Sequence, residues 1–255
     1  MSAPVAIILA AGLGSRLGAR TAALPKGLLP LSGRGLVAHS VDRLRGAGVA
    51  RIRIVTGHCA EAYDRHFADA PDVETVFNAD YADTGSLLSL VRGGAGLQDH
   101  DGPVLILESD LVFEARALIL LRDLGAGTLV STPTGAGDEV HVWADGAAPG
   151  RPPRLRALSK DPAHLAQTPL GEFTGLNVMP GSMLRAALDP WRDIVRRDAK
   201  ADYEDGLVAL ARTAPFGCCL VDDLAWAEID DAAMLARVEA DVWPEIVTRD
   251  ACQKR

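Results

Sequence analysis

Val5 to Ala10 is an unbroken apolar run that passes directly into Ala11-Gly12-Leu13-Gly14. A strand without polar alternation is buried on both faces, so helices must cover both sides of its sheet. A sheet of that kind belongs to an α/β fold.

The same rhythm continues downstream. Leu36 to Arg45 carries apolar residues at helical spacing and closes at Gly46 and Gly48. Arg51 to Thr56, Val73 to Phe77, Pro103 to Leu107 and Thr128 to Thr132 read as strands, and helices are expected from Ser86 and over Glu114 to Leu124. This order predicts a mainly parallel, Rossmann-like mixed sheet flanked by helices, with right-handed crossovers. The second half differs. Val140 to Ala144 and Leu155 to Leu158 read as a hairpin around the Gly/Pro-dense Gly146 to Pro153. Helices over Gly181 to Arg197 and Tyr203 to Thr213, a strand over Phe216 to Val221 and a closing helix over Asp231 to Val242 complete the pattern. No linker composition interrupts it, so the expectation is one domain over residues 1–255, with a small β-rich insertion at about residues 133–180 on the acceptor side.

Charge and cysteine usage narrow the partners. With 26 basic and 34 acidic residues the net charge is −8, which argues against a duplex nucleic acid partner. No apolar run reaches bilayer length, and Met1 to Pro4 lacks the basic flank of a signal peptide. Cys59, Cys218, Cys219 and Cys252 form no C-x-x-C pair and read as reduced thiols. A cytoplasmic protein with no membrane partner is the expectation. Lysine is scarce: Lys26, Lys160, Lys200 and Lys254 are the only four among the basic residues, so one inside an ordered segment draws attention.

Small residues at Ala10, Ala11, Gly12 and Gly14 let backbone N–H groups approach an anion, and a helix starting near Ser15 would add its positive end. Two common phosphate motifs fail here. Leu17 stands where G-x-G-x-x-G needs its third glycine, and Ser15-Arg16 is not the Lys-Ser/Thr pair of a P-loop. The cation arrives later, in Leu24-Pro25-Lys26-Gly27-Leu28-Leu29-Pro30.

The strand, Leu9-Ala10-Ala11-Gly12-Leu13-Gly14-Ser15-Arg16-Leu17, and then Pro25-Lys26-Gly27 resemble the signature of the nucleotidyltransferase family that includes sugar-1-phosphate nucleotidyltransferases. The resemblance implies that Leu9, Ala10, Ala11, Gly12, Gly14 and Ser15 wrap a nucleoside triphosphate while Arg16 and Lys26 hold its phosphates. Asp110 follows the apolar run Leu105-Ile106-Leu107, at the strand end where open parallel sheets bind ligands. A carboxylate there can hold Mg²⁺ against a triphosphate. Of Asp230 and Asp231, one caps the last helix. The resemblance matches Asp230 to the second metal carboxylate and leaves Asp231 as the cap, with Glu108 in reserve.

The stretch from Phe77 to Leu90, together with Tyr203-Glu204-Asp205 and Trp226-Ala227-Glu228-Ile229-Asp230, is similar to the branch of cytidylyltransferases that act on phosphocholine or small phosphonates such as 2-aminoethylphosphonate. Asn78 is the expected base contact. Thr84 and Ser86 read equally as helix capping or as base and ribose recognition. The choice of CTP rests on the resemblance, which also implies that Lys160 touches the acceptor phosphate and the α-phosphate. An amine-bearing acceptor needs carboxylates or aromatic faces. That singles out Glu172, Asp202, Tyr203 at an exposed-looking helix start, and Trp143, which reads as core or cage. The six histidines show no metal-ligand spacing.

The expectation is therefore an Mg²⁺-dependent cytidylyltransferase that joins CMP from CTP to a small phosphonate or phosphomonoester and releases pyrophosphate, with a homodimer left open. The alternatives are a nucleotidyltransferase for sugar 1-phosphate or inositol 1-phosphate, against which the short insertion counts, and a non-catalytic nucleotide-binding module. A dinucleotide oxidoreductase is disfavoured by Leu17.

Overall fold

The computed structural model describes residues 2–14, 24–137, 139–146 and 150–253. In chain order, β1 (Val5–Ala10) is followed by a 3-10 turn (Lys26–Leu28), the short strands β2 (Pro30–Leu31) and β3 (Arg34–Gly35), and α1 (Leu36–Gly46). Next come β4 (Arg51–Thr56), α2 (Ala60–His66), β5 (Val73–Phe77), α3 (Ser86–Gly94), β6 (Pro103–Glu108), β7 (Leu111–Phe113), α4 (Arg116–Leu124) and β8 (Gly127–Ser131). The remainder contains β9 (His141–Asp145), β10 (Arg154–Ser159), β11 (Gly171–Pro180), α5 (Gly181–Arg197), α6 (Tyr203–Thr213), β12 (Gly217–Val221), β13 (Trp226–Glu228), α7 (Ala232–Arg237), a π turn (Val238–Val242) and α8 (Trp243–Gln253).

Nine strands form one mixed sheet in the order β5-β4-β1-β6-β11-β8-β12-β10-β9. Its first four strands are parallel, and their carboxyl ends align: Ala10 pairs with Thr56, and Leu9 with Glu108. Strand β11 runs antiparallel between β6 and β8. Its first residues therefore extend beyond the carboxyl end of β6, which delivers Glu172 and Phe173 to the ligand edge of the sheet.

Both faces are covered, as the apolar strands require. On one face Leu87, Leu90 and Val91 of α3 pack with Leu184, Leu188 and Trp191 of α5 and with Leu207 of α6. On the other, Val37, Val41 and Leu44 of α1 and Leu118 and Leu121 of α4 pack on Ile8, Ile54 and Leu107. A third cluster, with Leu31, Leu36, Ile229, Leu235, Val238 and Ile246, docks the C-terminal helices beside β7 and β13. Fully burying one such side chain stabilises the fold by about 1.5–3 kcal/mol before conformational entropy is charged against it.

The structure departs from the sequence reading in three places. Hairpin β9–β10 continues the main sheet, and Gly171–Pro180, which carries no clean strand signal, lies in its interior. The three-residue strands β7 and β13 pair as a separate two-stranded ladder. The closing helix runs to Gln253 through a π turn. The four cysteines are free. Among the described residues no helix is long and apolar enough to cross a membrane.

Candidate active site

The carboxyl ends of β1 and β6, the start of β11, the turn before α6 and the β13–α7 junction enclose a cleft of about 550 Å³. Leu9, Ala10, Ala11, Gly12 and Gly14 form one wall. Gly14 has φ +61°, a left-handed conformation that glycine adopts without a side-chain clash. Ser15 and Arg16 lie outside the described residues.

Lys26 reaches the floor from its 3-10 turn. Its Nζ sits 2.5 Å from Asp110 Oδ2 and 2.5 Å from Asp230 Oδ1. Local pairing brings the two aspartates together across the chain. In the β7–β13 ladder Glu228 faces Leu111, and Ile229 N–H donates to the Asp110 carbonyl at 3.1 Å. Burial opposes charge on Lys26, but Asp110 and Asp230 outweigh it and hold the ammonium above its ordinary pKa. Asp231 is the cap of α7, accepting from the N–H groups of Ala233 and Met234 at 2.8 Å, which leaves Asp230 to the cleft.

Carboxylates crowd the same floor. Oxygen atoms of Glu108, Asp110 and Glu228 lie within 4.8 Å of one another, and Asp110 Oδ1 is buried with no hydrogen-bond partner among the described residues. Burial, reinforced by Asp110, pushes Glu108 up to about 8. Burial, reinforced by Glu108, Asp110 and Asp230, pushes Glu228 up to about 10. This hard-oxygen donor set with an unsatisfied buried acceptor fits a divalent cation of the Mg²⁺ type. Asp110 and Asp230 could hold it, with Glu108 and Glu228 alongside.

The far wall comes from α3 and α6. Gly85 is required by close approach: a Cβ there would meet the Ala201 carbonyl, and Gly85 N–H donates to the Ala199 carbonyl at 2.8 Å. Thr84 and Ser86 line the cleft, and both hydroxyls are also structural. Thr84 Oγ1 donates to the Asp80 carbonyl at 2.8 Å. Ser86 Oγ donates to Asp202 Oδ1 at 3.0 Å and accepts from Tyr203 N–H at 2.8 Å. Asp202 lines the cleft while serving as N-cap of α6 in a reciprocal capping box with Asp205.

Two expected contacts do not reach the cleft. Asn78 is fully buried; its Nδ2 donates to Ser89 Oγ at 3.0 Å and its Oδ1 accepts from Asp80 N–H. It ties the end of β5 to α3, so the side chain has no face left for a base. Trp143 is equally buried, with its indole N–H donating to the Gln167 carbonyl at 2.7 Å, and belongs to the hairpin core. Tyr203 does line the cleft, but it is 2% exposed rather than an exposed helix start. Its hydroxyl donates to Glu108 Oε1. Glu172 also lines the cleft and accepts from the backbone N–H and hydroxyl of Thr134.

Lys160 and Lys200 join Lys26 along the cleft, so three of the four lysines gather there. Lysine scarcity was the signal that could have added Lys200. Arg237, at the end of α7, and Glu228 also line the cleft and were not singled out. No local pattern distinguishes Arg237 from the other arginines; only the docking of α7 brings it in.

A model of the MobA-like NTP transferase domain matches residues 6–168. The chain is 33% identical over 239 residues to CMP-5'-(3-aminopropyl)phosphonate synthase of Streptomyces rubellomurinus, covering 89% of this chain and 37% of that protein. It is 32% identical over 248 residues to the bifunctional protein GlmU of Burkholderia lata, covering 91% of this chain and 51% of that one. The chain thus spans between about a third and a half of the length of these curated relatives. In fold it is similar to the CTP:phosphocholine cytidylyltransferase LicC of Streptococcus pneumoniae, with TM-score 0.73, 17% identity and coverage of 93% and 98%. It is similar also to the inositol-1-phosphate CTP transferase of T. maritima, with TM-score 0.71, 18% identity and coverage of 93% and 97%. At such identities the likeness concerns architecture. The domain match spans the glycine wall, Lys26 and Asp110, and the chain belongs to the MobA-like NTP transferase domain family.

Proposed function

We propose that this protein is an Mg²⁺-dependent cytidylyltransferase that transfers CMP from CTP to a small phosphonate or phosphomonoester. The observation that carries this reading is the Lys26 ammonium bracketed by Asp110 and Asp230 on the floor of a glycine-walled cleft. The names of the aminopropylphosphonate relative and of the phosphocholine cytidylyltransferase with the same architecture support the nucleotide and the acceptor class.

In this reading an acceptor oxygen attacks the α-phosphorus of CTP, the bond from that phosphorus to the bridging oxygen breaks, and pyrophosphate leaves. The backbone of Ala10 to Gly14 receives phosphate oxygens, and Lys26 and Lys160 offset the charge that moves onto the leaving group. Thr84 and Ser86 face the nucleoside. A phosphonate acceptor is already anionic at neutral pH, so positioning rather than proton abstraction is the protein's main task. Bound Mg²⁺ would neutralise charge on phosphate oxygens, and Asp110 and Asp230 are the residues assigned to hold it.

The inositol-1-phosphate CTP transferase shares this architecture, which keeps sugar and inositol 1-phosphates as a second reading of the acceptor. A pyrophosphate-release screen with each nucleoside triphosphate, Mg²⁺ and a panel of acceptors tests the proposal. Turnover with CTP and a small phosphonate or phosphomonoester is expected. Turnover with a sugar or inositol 1-phosphate alone would reject the acceptor class, and CTP binding without turnover on any acceptor would make the protein a binding module.

A further inference from the structure

The two aspartates assigned to the cation are placed by strands outside the main sheet. Asp110 directly precedes β7, and Asp230 follows the last residue of β13 by two positions. These strands pair with each other in a two-stranded sheet of their own, over three residue pairs. The gap between Asp110 and Asp230 is therefore set by the register of a short ladder. Side chains alternate along a strand, so a slip of one residue, about 3.4 Å, would turn Asp230 away from Asp110. Three pairs give few backbone bonds with which to hold that register.

One end of the ladder closes at the site, through Ile229 N–H and the Asp110 carbonyl at 3.1 Å. The other end closes at Glu114. Its N–H donates to the Ala225 carbonyl at 2.9 Å, as the next hydrogen-bonded antiparallel pair requires. The return bond takes another course. The Glu114 carbonyl turns to Ala117 N–H in α4, and the side-chain Oε1 accepts from Ala225 N–H instead, at 3.1 Å. The carboxylate replaces a missing rung, which it can do in this register alone.

Glu114 is buried, and the same Oε1 accepts from Arg116 Nη2 at 3.0 Å and from Arg249 Nη1 at 3.2 Å. Arg249 belongs to α8. Its neighbour Asp250 accepts from Ala115 N–H at 2.7 Å and from Arg43 Nη2 at 2.9 Å. The C-terminal helix thus grips the two residues that follow β7. A buried ion pair adds little net stability over an apolar replacement, and setting register is its best-attested use.

We propose that Glu114, held by Arg249 of the C-terminal helix, is a positioning residue that locks the β7–β13 register and so fixes the spacing of Asp110 and Asp230 around the divalent cation. This rests on the Mg²⁺ assignment in the proposed function and extends it to residues that do not touch the ligand.

The test follows enzyme-bound Mn²⁺ by water-proton relaxation enhancement, with Mn²⁺ and CTP titrated into the full chain. It compares the wild type with Glu114→Gln, Arg249→Met and Arg53→Met. Arg53, buried in β4 and paired with Glu74 at 3.3 Å, is the control for lost stability, because it lies in the main sheet. Glu114→Gln and Arg249→Met should each weaken binding of the Mn²⁺–CTP complex by about tenfold or more, the scale on which groups behind metal ligands act. Arg53→Met should lower the melting temperature and leave that affinity unchanged. Should Glu114→Gln fail to fold, Arg249→Met, on the half-buried outer helix, still decides. Wild-type affinity in either folded variant, or an equal loss in Arg53→Met, would overturn the inference and leave the metal assignment standing. No enhancement in the wild type would overturn both.

Discussion

Lys26 and Asp230, separated by 204 positions in the chain, meet at 2.5 Å on the cleft floor. Asp110 stands on the other side of the same ammonium at 2.5 Å. The side chains of all three are nearly enclosed, with exposures of 12%, 7% and 12% for Lys26, Asp230 and Asp110. Removing one member of such a cluster leaves charge uncompensated.

Lys26→Ala should lower kcat by about a hundred- to a thousand-fold, the scale of one charge-stabilising contact at a transferring phosphoryl group. It should also cost about 3 kcal/mol of stability, since two aspartates then face each other unpaired. Steady-state pyrophosphate release and urea unfolding measure the two effects separately. A near-wild-type rate would remove Lys26 from the reaction.

Asp110→Asn should abolish the dependence of turnover on Mg²⁺ along with most of the turnover. In the wild type, adding Mg²⁺ should raise the melting temperature, because a ligand held by the folded state stabilises it. The rise should disappear in Asp110→Asn. An equal rise in both proteins would place the ion elsewhere.

Asn78→Ala tests the reassignment of a residue expected to contact the base. With its amide bridging Asp80 and Ser89, the loss should cost about 1–3 kcal/mol of stability. The ratio of kcat/KM for CTP to that for UTP should not change. A shifted ratio at unchanged stability would restore Asn78 to nucleotide recognition.

Thermal stability of the ligand-free protein should fall as pH rises from 5 to 8. Burial raises Glu204 from its ordinary 4.5 to about 7, so the folded state binds this proton more tightly than the unfolded chain. The associated stability is complete below the ordinary value and is lost as pH climbs through about 7. Melting curves of the wild type and Glu204→Gln should diverge across that window, with the variant falling less. Parallel curves would contradict the assigned shift.

Sheet and site differ in how much of them can be read from residues alone. Val5–Ala10 and Pro103–Glu108 are legible because continuous apolar runs leave few alternatives. Strand Gly171–Pro180 hides in the same text because Glu172, Thr174 and Asn177 interrupt its apolar character. Each becomes acceptable inside only through tertiary bonds, such as Thr174 Oγ1 to the Leu129 carbonyl at 2.9 Å. Lys26, Asp110 and Asp230 are legible through their motifs. Glu108 is legible only as a reserve beside Asp110, and Glu204 and Glu228 are not, because the three become neighbours only when β6, α6 and β13 converge on one cleft. Trp143 misleads for the opposite reason: its ring satisfies itself in the hairpin core, and nothing in the neighbouring residues announces that.

The most direct test incubates the protein with CTP, Mg²⁺ and 2-aminoethylphosphonate and follows the mixture by phosphorus NMR. The account predicts that pyrophosphate and a mixed phosphonate–phosphate anhydride bearing CMP appear in equal amounts, and that neither appears with Lys26→Ala over the same time. CTP remaining intact in the wild-type reaction, or products forming equally fast without Lys26, would contradict it.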